Sequence, residues 1–301
     1  MRIRHLSFVG IRSLPSIKQG FPPSGASDLI VAYGKFACGK TTFLDTIAAA
    51  KERIAPYGSP DSRWDSLVAP SVPAAKVSIQ WEASDVERAR FALEDGLLPT
   101  EVVLGTAAGK ERHPLSLQGI LTDRGSATNG SIHYLHDTRD LDGPLSFGGE
   151  DASVRLRLTA RNAKFAELYD VLDQSPLAAA KRLATERLSE LCPNLEIVGM
   201  QRSGASLFSI LKDRETGVER RLDTLSLSEQ QAFILALYTS RYPIVDSIVL
   251  VDAPELGFGD GAVEYLRALL RWTTRTQVIA ATSVAAVRDM PEVGHVIELR
   301  K

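Results

Sequence analysis

Cysteine is scarce in this chain of 301 residues. Cys38 and Cys192 lie far apart with no C-x-x-C spacing, which excludes a disulfide framework and a cysteine zinc cluster and makes a reducing cytosol the expected setting. Long apolar runs are missing as well. The opening MRIRHLSFVGIRSL alternates charged and apolar residues, so neither a signal peptide nor a membrane span is expected, and the chain is placed in the cytoplasm. Nor is either sign of charge in excess: 35 Lys+Arg against 37 Asp+Glu leaves a formal net charge of −2, which excludes a generally basic nucleic-acid binder and leaves only a local basic patch open. His5, His113, His133, His136 and His295 have no metal-ligand spacing. His133 and His136, three residues apart, are expected at the surface. What is present is an ordinary globular composition, 44% hydrophobic and 24% charged, with enough chain for one large or two small domains.

Arg2 to Phe8 alternates like a strand, and Asp28 to Tyr33 is a short apolar run suited to a fully buried one. A glycine loop follows, then a helical pattern from Thr41 to Ile54 that stops in a Pro/Gly/Ser-rich stretch. Lys76 to Trp81, Glu101 to Thr106 and Ser131 to Leu135 read as strands of a mixed or antiparallel section. Gly143 to Asp151 reads as a hinge, and Asn162 to Leu191 as helix broken at Pro176. Strands follow at Leu195 to Met200, Ser206 to Lys212 and Val218 to Leu222, the last two joined by an Asp-Arg-Glu-Thr-Gly turn. The tail is helix Ser228 to Tyr242, strand Ser247 to Val251, helix Gly261 to Thr274, strand Gln277 to Ala281 and strand Gly294 to Leu299. That alternation predicts an α/β core with parallel strands, built from both ends of the chain around a central insertion. The expected units are 1–142, the helical lobe 143–193, and 194–301.

The sharpest motif is Gly34-Lys35-Phe36-Ala37-Cys38-Gly39-Lys40-Thr41, which fits G-x-x-x-x-G-K-[ST] and lies between an apolar strand and a helix. Its glycines let backbone N–H groups turn toward phosphate oxygens. Lys40 reaches the β/γ-phosphates of a nucleotide, the Thr41 hydroxyl ligates Mg²⁺, and Thr42 extends the cradle. A second motif, Ser247-Ile248-Val249-Leu250-Val251-Asp252, is an apolar strand ending in an acid, where such a site holds its metal shell. The third is Leu225-Ser226-Leu227-Ser228-Glu229-Gln230-Gln231 at a helix start. Ser228 and Gln231 have capping-box spacing, and a helix N-terminus with two serines also suits an anion.

In this order the motifs resemble the ABC-type ATPase superfamily, and within it the RecF/SMC-like and OLD-like heads. Ile3, Leu6, Arg12, Ser13 and Leu14 match the family's opening pattern, and the resemblance spans nearly the whole chain. It implies a P-loop NTPase of ABC-ATPase type, with a mixed sheet core and an inserted helical lobe. It implies ATP and Mg²⁺ as cofactors, and a homodimer or higher even oligomer closed around ATP, in which Ser226, Ser228 and Glu229 of one chain meet nucleotide held by Lys40 of the other. No heptad tract predicts an SMC rod. After the final strand no room is left for the nuclease domain of OLD-like proteins.

The departures bear on turnover. Where the family continues Asp-Glu, Asp252 is followed by Ala253, and a methyl group cannot accept a proton. Ser283 stands at the switch-histidine position and Ser228 at the signature glycine. Phe36 and Ala37 replace a usual Asn and Gly. Two explanations stand side by side: a native slow or non-hydrolysing switch, or an alanine introduced to trap ATP. Glu255 either rescues hydrolysis or is a plain sheet-edge carboxylate. His136, Asp137 and Arg139 occupy the family's Q-loop place, and Arg12 lies either near the nucleotide or on the surface. The expected function is an ATP-binding, slowly hydrolysing ATPase in DNA repair or anti-phage defence with a separate effector, DNA being a further candidate partner and a membrane not one. The alternatives are a nucleotide-sensing scaffold without turnover and a transporter ATPase subunit.

Overall fold

The computed structural model describes residues 1–23, 28–56, 62–105, 112–122, 132–135, 172, 178–203 and 206–300. Its centre is a five-stranded parallel sheet in the order β12-β3-β11-β10-β6, formed by Val293–Glu298, Asp28–Tyr33, Gln277–Thr282, Ile248–Asp252 and Ile132–Leu135. The middle strands are apolar between their end residues because both sheet faces are covered. Alternate residues divide between two cores. Ile30, Ala32, Ile248, Leu250, Ile279 and Ala281 join one core, and Leu29, Val31, Val249, Val251, Val278 and Ala280 join the other.

The first core is closed by helix α1 (Lys40–Ile54) and a four-stranded antiparallel sheet, β2-β1-β4-β5, from Ile17–Gly20, Arg2–Val9, Ala75–Glu82 and Leu97–Leu104. Phe43, Leu44 and Ile47 of α1 are fully buried in it with Phe8 and Trp81. At about 1.5–3 kcal/mol per fully buried large apolar side chain, this packing, more than helix propensity, fixes α1 and the loop before it. Two short helices, α2 (Asp85–Arg90) and α3 (Leu115–Thr122), complete this half.

The second core lies under α4 (Ala178–Leu191), α5 (Leu227–Arg241) and α6 (Ala262–Trp272). A three-stranded antiparallel sheet, β7-β8-β9 (Leu195–Ser203, Ser206–Asp213, Glu219–Arg221), leads into α5, and α7 (Ala285–Arg288) follows β11. The expected 213–217 turn is there, with the amides of Glu215 and Thr216 donating to the Asp213 carboxylate. Of the expected lobe 143–193, the described residues include α4, which packs on α5 and α6.

The mixed α/β architecture expected from the sequence is therefore observed, with one strand reassigned. Ile132–Leu135 pairs parallel to β10 rather than joining the antiparallel section. Its four residues are all buried, as an edge strand needs to be when helices cover both faces.

Candidate nucleotide site

The carboxyl ends of β3, β11 and β10 lie side by side: Tyr33 is in register with Thr282, and Ala281 with Asp252. Ligand sites of open parallel sheets form at this edge. From Tyr33 the chain turns through Gly34–Gly39 into α1. Gly39 is the N-cap at φ +93°, with no side-chain capping bond, so the first N–H groups of α1 are left for another acceptor. A Cβ on Gly39 would lie 2.8 Å from the Ser13 carbonyl oxygen and 2.6 Å from Leu14 Cδ2. The segment Arg12–Leu14 therefore rests on the loop, where only a glycine fits. Ala37 is also left-handed, at φ +60°.

The Lys40 ammonium donates to the carbonyls of Gly34 at 3.0 Å and Lys35 at 2.9 Å, arching over the loop. Cys38 is buried against Gly34, while Lys35, Phe36 and Ala37 are exposed, Phe36 to 95%. Thr41 and Thr42 are half-buried in the first helical turn. Uncapped N–H groups, a lysine and a hydroxyl at one strand-to-helix turn fit a polyphosphate. Asp252, 2% exposed at the end of β10, puts a carboxylate at the same sheet edge, and carboxylate and hydroxyl oxygens are the donors that Mg²⁺ takes.

After Asp252 the backbone turns left-handed at Ala253, φ +46°, whose N–H donates to Ala281 O at 3.0 Å. Glu255 then reaches the end of β11. Thr282 Oγ1 donates to its Oε2 at 2.7 Å, and the Ser283 amide and hydroxyl donate to Oε1 at 3.1 and 2.9 Å. Glu255 and Ser283 thus meet through loops that only the parallel pairing of β10 and β11 brings together.

At the third motif the helix start differs from expectation. The N-cap is Ser226, not Ser228, and the capping box is Ser226 with Glu229 rather than Ser228 with Gln231. The Ser226 amide and hydroxyl donate to Glu229 Oε2 at 2.7 and 2.8 Å, and Arg220 on β9 holds the same carboxylate at 3.2 Å. That arginine adds a charge-assisted bond to the Ser226–Glu229 frame. Burial pushes Glu229 up, but the Ser226 bonds and Arg220 outweigh it and hold the carboxyl below its ordinary range. Ser226 is exposed and Ser228 half-buried, their hydroxyls 3.2 Å apart. Gly257 lies against this end, since a Cβ there would be 2.9 Å from both Leu227 Cγ and the Ser228 amide nitrogen.

His133 is not at the surface: it is 2% exposed, with Nδ1 2.8 Å from the Tyr238 hydroxyl. Sequence reading missed this pair because β6 was assigned to the other sheet. His136, Asp137 and Arg139 lie outside the described residues. Among the described residues no His/Cys/Asp/Glu group suits a metal cluster, and no helix is long and apolar enough to cross a membrane.

No family model matches the chain, and no curated protein does either. Solved structures do. A crystal structure of an Smc head bound to the C-winged helix domain of ScpA matches at TM-score 0.59 and 16% identity, covering 95% of this chain and 91% of that one. The Smc head domain with an extended coiled coil, bound to the C-terminal domain of ScpA derived from Pyrococcus furiosus, matches at 0.56 and 12%, covering 95% and 90%. The recombination mediator RecF, described with ATPrS in the RecFOR pathway, matches at 0.54 and 13%, covering 95% and 94%. The chain has the fold of these Smc head domains and of RecF.

Proposed function

We propose that this protein is an ATP-binding head of the ABC type that pairs with a second copy around ATP and turns it over slowly. The reading is carried by one observation: the uncapped Gly39–Lys40 helix start shares a sheet edge with buried Asp252. Gly34 to Thr42 would hold the polyphosphate, and Thr41 and Asp252 the Mg²⁺. Ser226 and the N–H groups of α5 would face the γ-phosphate in the partner's loop, with the partner's mirror contact closing a two-fold dimer or a higher even assembly. Glu229, held as an anion by Ser226 and Arg220, would have to yield its place to that phosphate.

Slow turnover follows from the Ala253 methyl at the general-base position. The same residue supports a second reading, a nucleotide-sensing scaffold in which binding energy alone sets assembly. The fold is shared with a recombination mediator and with Smc heads that bind ScpA. By that analogy alone the protein is assigned to cytoplasmic DNA repair or anti-phage defence, off the membrane, with a separate effector and DNA as partners to be tested. Sedimentation with ATP, ADP and no nucleotide tests the reading: ATP with Mg²⁺ should give a dimer that ADP gives less readily. An assembly state indifferent to nucleotide would contradict it.

A further inference from the structure

Glu255, two residues past Ala253, is the acid offered in place of the missing base, yet both its oxygens are engaged. Thr282 Oγ1 occupies Oε2, and the Ser283 amide and hydroxyl occupy Oε1. The residue that holds it also holds the P-loop. The Thr282 carbonyl accepts from the Gly34 amide at 3.2 Å, and Thr282 Oγ1 accepts from the Val284 amide at 3.0 Å. On its other side Glu255 opens a tight turn. Its own carbonyl accepts from the Phe258 and Gly259 amides at 3.0 and 2.9 Å, and that turn presents Gly257, at φ +80°, to Leu227 and Ser228. No side chain larger than hydrogen fits between the turn and the head of α5.

A continuous line of contacts therefore runs within one chain from Gly34, through Thr282 and the Glu255 carboxylate, along the 255–259 turn, to the N-terminus of α5. Each link is short, and the glycine contact is close enough for a small shift of the turn to move the helix end or be blocked by it. The two ends of the line are the two halves of different nucleotide sites. One end touches the chain's own phosphate loop, and the other offers Ser226 and Ser228 to a second copy.

We infer that Glu255 is a positioning residue: its carboxylate fastens the end of β11 to the 255–259 turn, so that nucleotide in a chain's own P-loop sets where that chain's α5 serines stand for its partner. It is not the proton acceptor for hydrolysis. The inference rests on the ATP-linked dimer proposed above, and it gives the sites of such a dimer a coupling that is reciprocal in binding free energy.

The test compares wild type with Glu255→Gln, Glu255→Ala and Thr282→Val in the full chain, reading ATP affinity, ATP-dependent dimerisation and single-turnover hydrolysis for each. Glutamine keeps a carbonyl oxygen for the Ser283 amide and an amide for the Thr282 hydroxyl, so it should retain dimerisation and turnover to within about threefold. Alanine should change ATP affinity less than threefold while weakening dimerisation at least tenfold, and Thr282→Val should shift dimerisation in the same direction. Turnover lost as fully in Glu255→Gln as in Glu255→Ala would make Glu255 a base and overturn the inference. ATP-linked dimerisation unchanged in all three variants would show that the carboxylate couples nothing. A wild type that fails to bind ATP would instead bring down the dimer reading on which the inference stands.

Discussion

Restoring a carboxylate at residue 253 should accelerate hydrolysis by one to several orders of magnitude. Ala253 directly follows buried Asp252, is itself half-buried, and has a left-handed backbone at φ +46°. That conformation costs an L-residue about 1–2 kcal/mol, and alanine already bears the cost, so Ala253→Glu adds no new backbone strain. A half-exposed side chain also needs no buried partner. General-base assistance is typically worth ~10²–10⁴-fold, which at about 1.36 kcal/mol per decade is roughly 3–5 kcal/mol of barrier. The assay is a single-turnover measurement with protein in excess over radiolabelled ATP, which separates chemistry from product release. Ala253→Gln, similar in shape but not a base, should remain as slow as wild type. A rate for Ala253→Glu within twofold of wild type, at unchanged ATP affinity, would refute the assignment of this position. So would equal acceleration by glutamine.

Three further outcomes follow from the same geometry. Lys40→Ala removes the only side-chain cation that bonds the P-loop carbonyls in the described residues, and should weaken ATP binding at least tenfold in a titration with labelled nucleotide; equal affinity would remove the loop from the site. For Asp246, burial pushes the carboxyl up, but bidentate Arg275, the amino terminus and Arg2 outweigh it and hold it low. Its stabilising contribution is therefore complete above the ordinary carboxylate range near pH 4 and is lost as pH falls through the lower folded value, so the acid-side drop in melting temperature should shrink in Arg275→Ala and would be unchanged were the pair idle. Burial, reinforced by Glu229, pushes the Cys192 thiol up to about 11, so at pH 8 iodoacetamide should label it only after unfolding; rapid labelling of the native protein would contradict that environment.

The elements most legible in the sequence were those whose pattern has one physical reading. Asp28–Tyr33 is a strand with the expected bounds, because an apolar hexapeptide before a glycine loop has few other uses. The strand expected from Glu101 begins at Leu97 instead and takes in Pro99; it lies at the sheet edge, where a missing N–H is tolerated. Helix α2 was not expected, although Ser84 and Glu87 stand in capping-box spacing and both bonds form. At α5 two overlapping frames fit the same rule. Gln231 is buried, and Glu229 bonds both Ser226 and Arg220 of the hairpin, so Ser226 with Glu229 is the frame that forms. The meeting of Glu255 with Thr282 and Ser283 was not readable, since it depends on the parallel register of β10 with β11. No local pattern encodes that register.

The central claim is that each ATP is held by the P-loop of one chain and the α5 serines of another. Lys40→Ala damages the first half of such a site and Ser226→Arg the second. In sedimentation with ATP and Mg²⁺, neither variant alone should form a dimer. An equimolar mixture should form one that carries a single ATP, because one of its two composite sites pairs an intact P-loop with an intact helix end. A mixture that stays monomeric while wild type dimerises, or either variant dimerising by itself, would contradict the account.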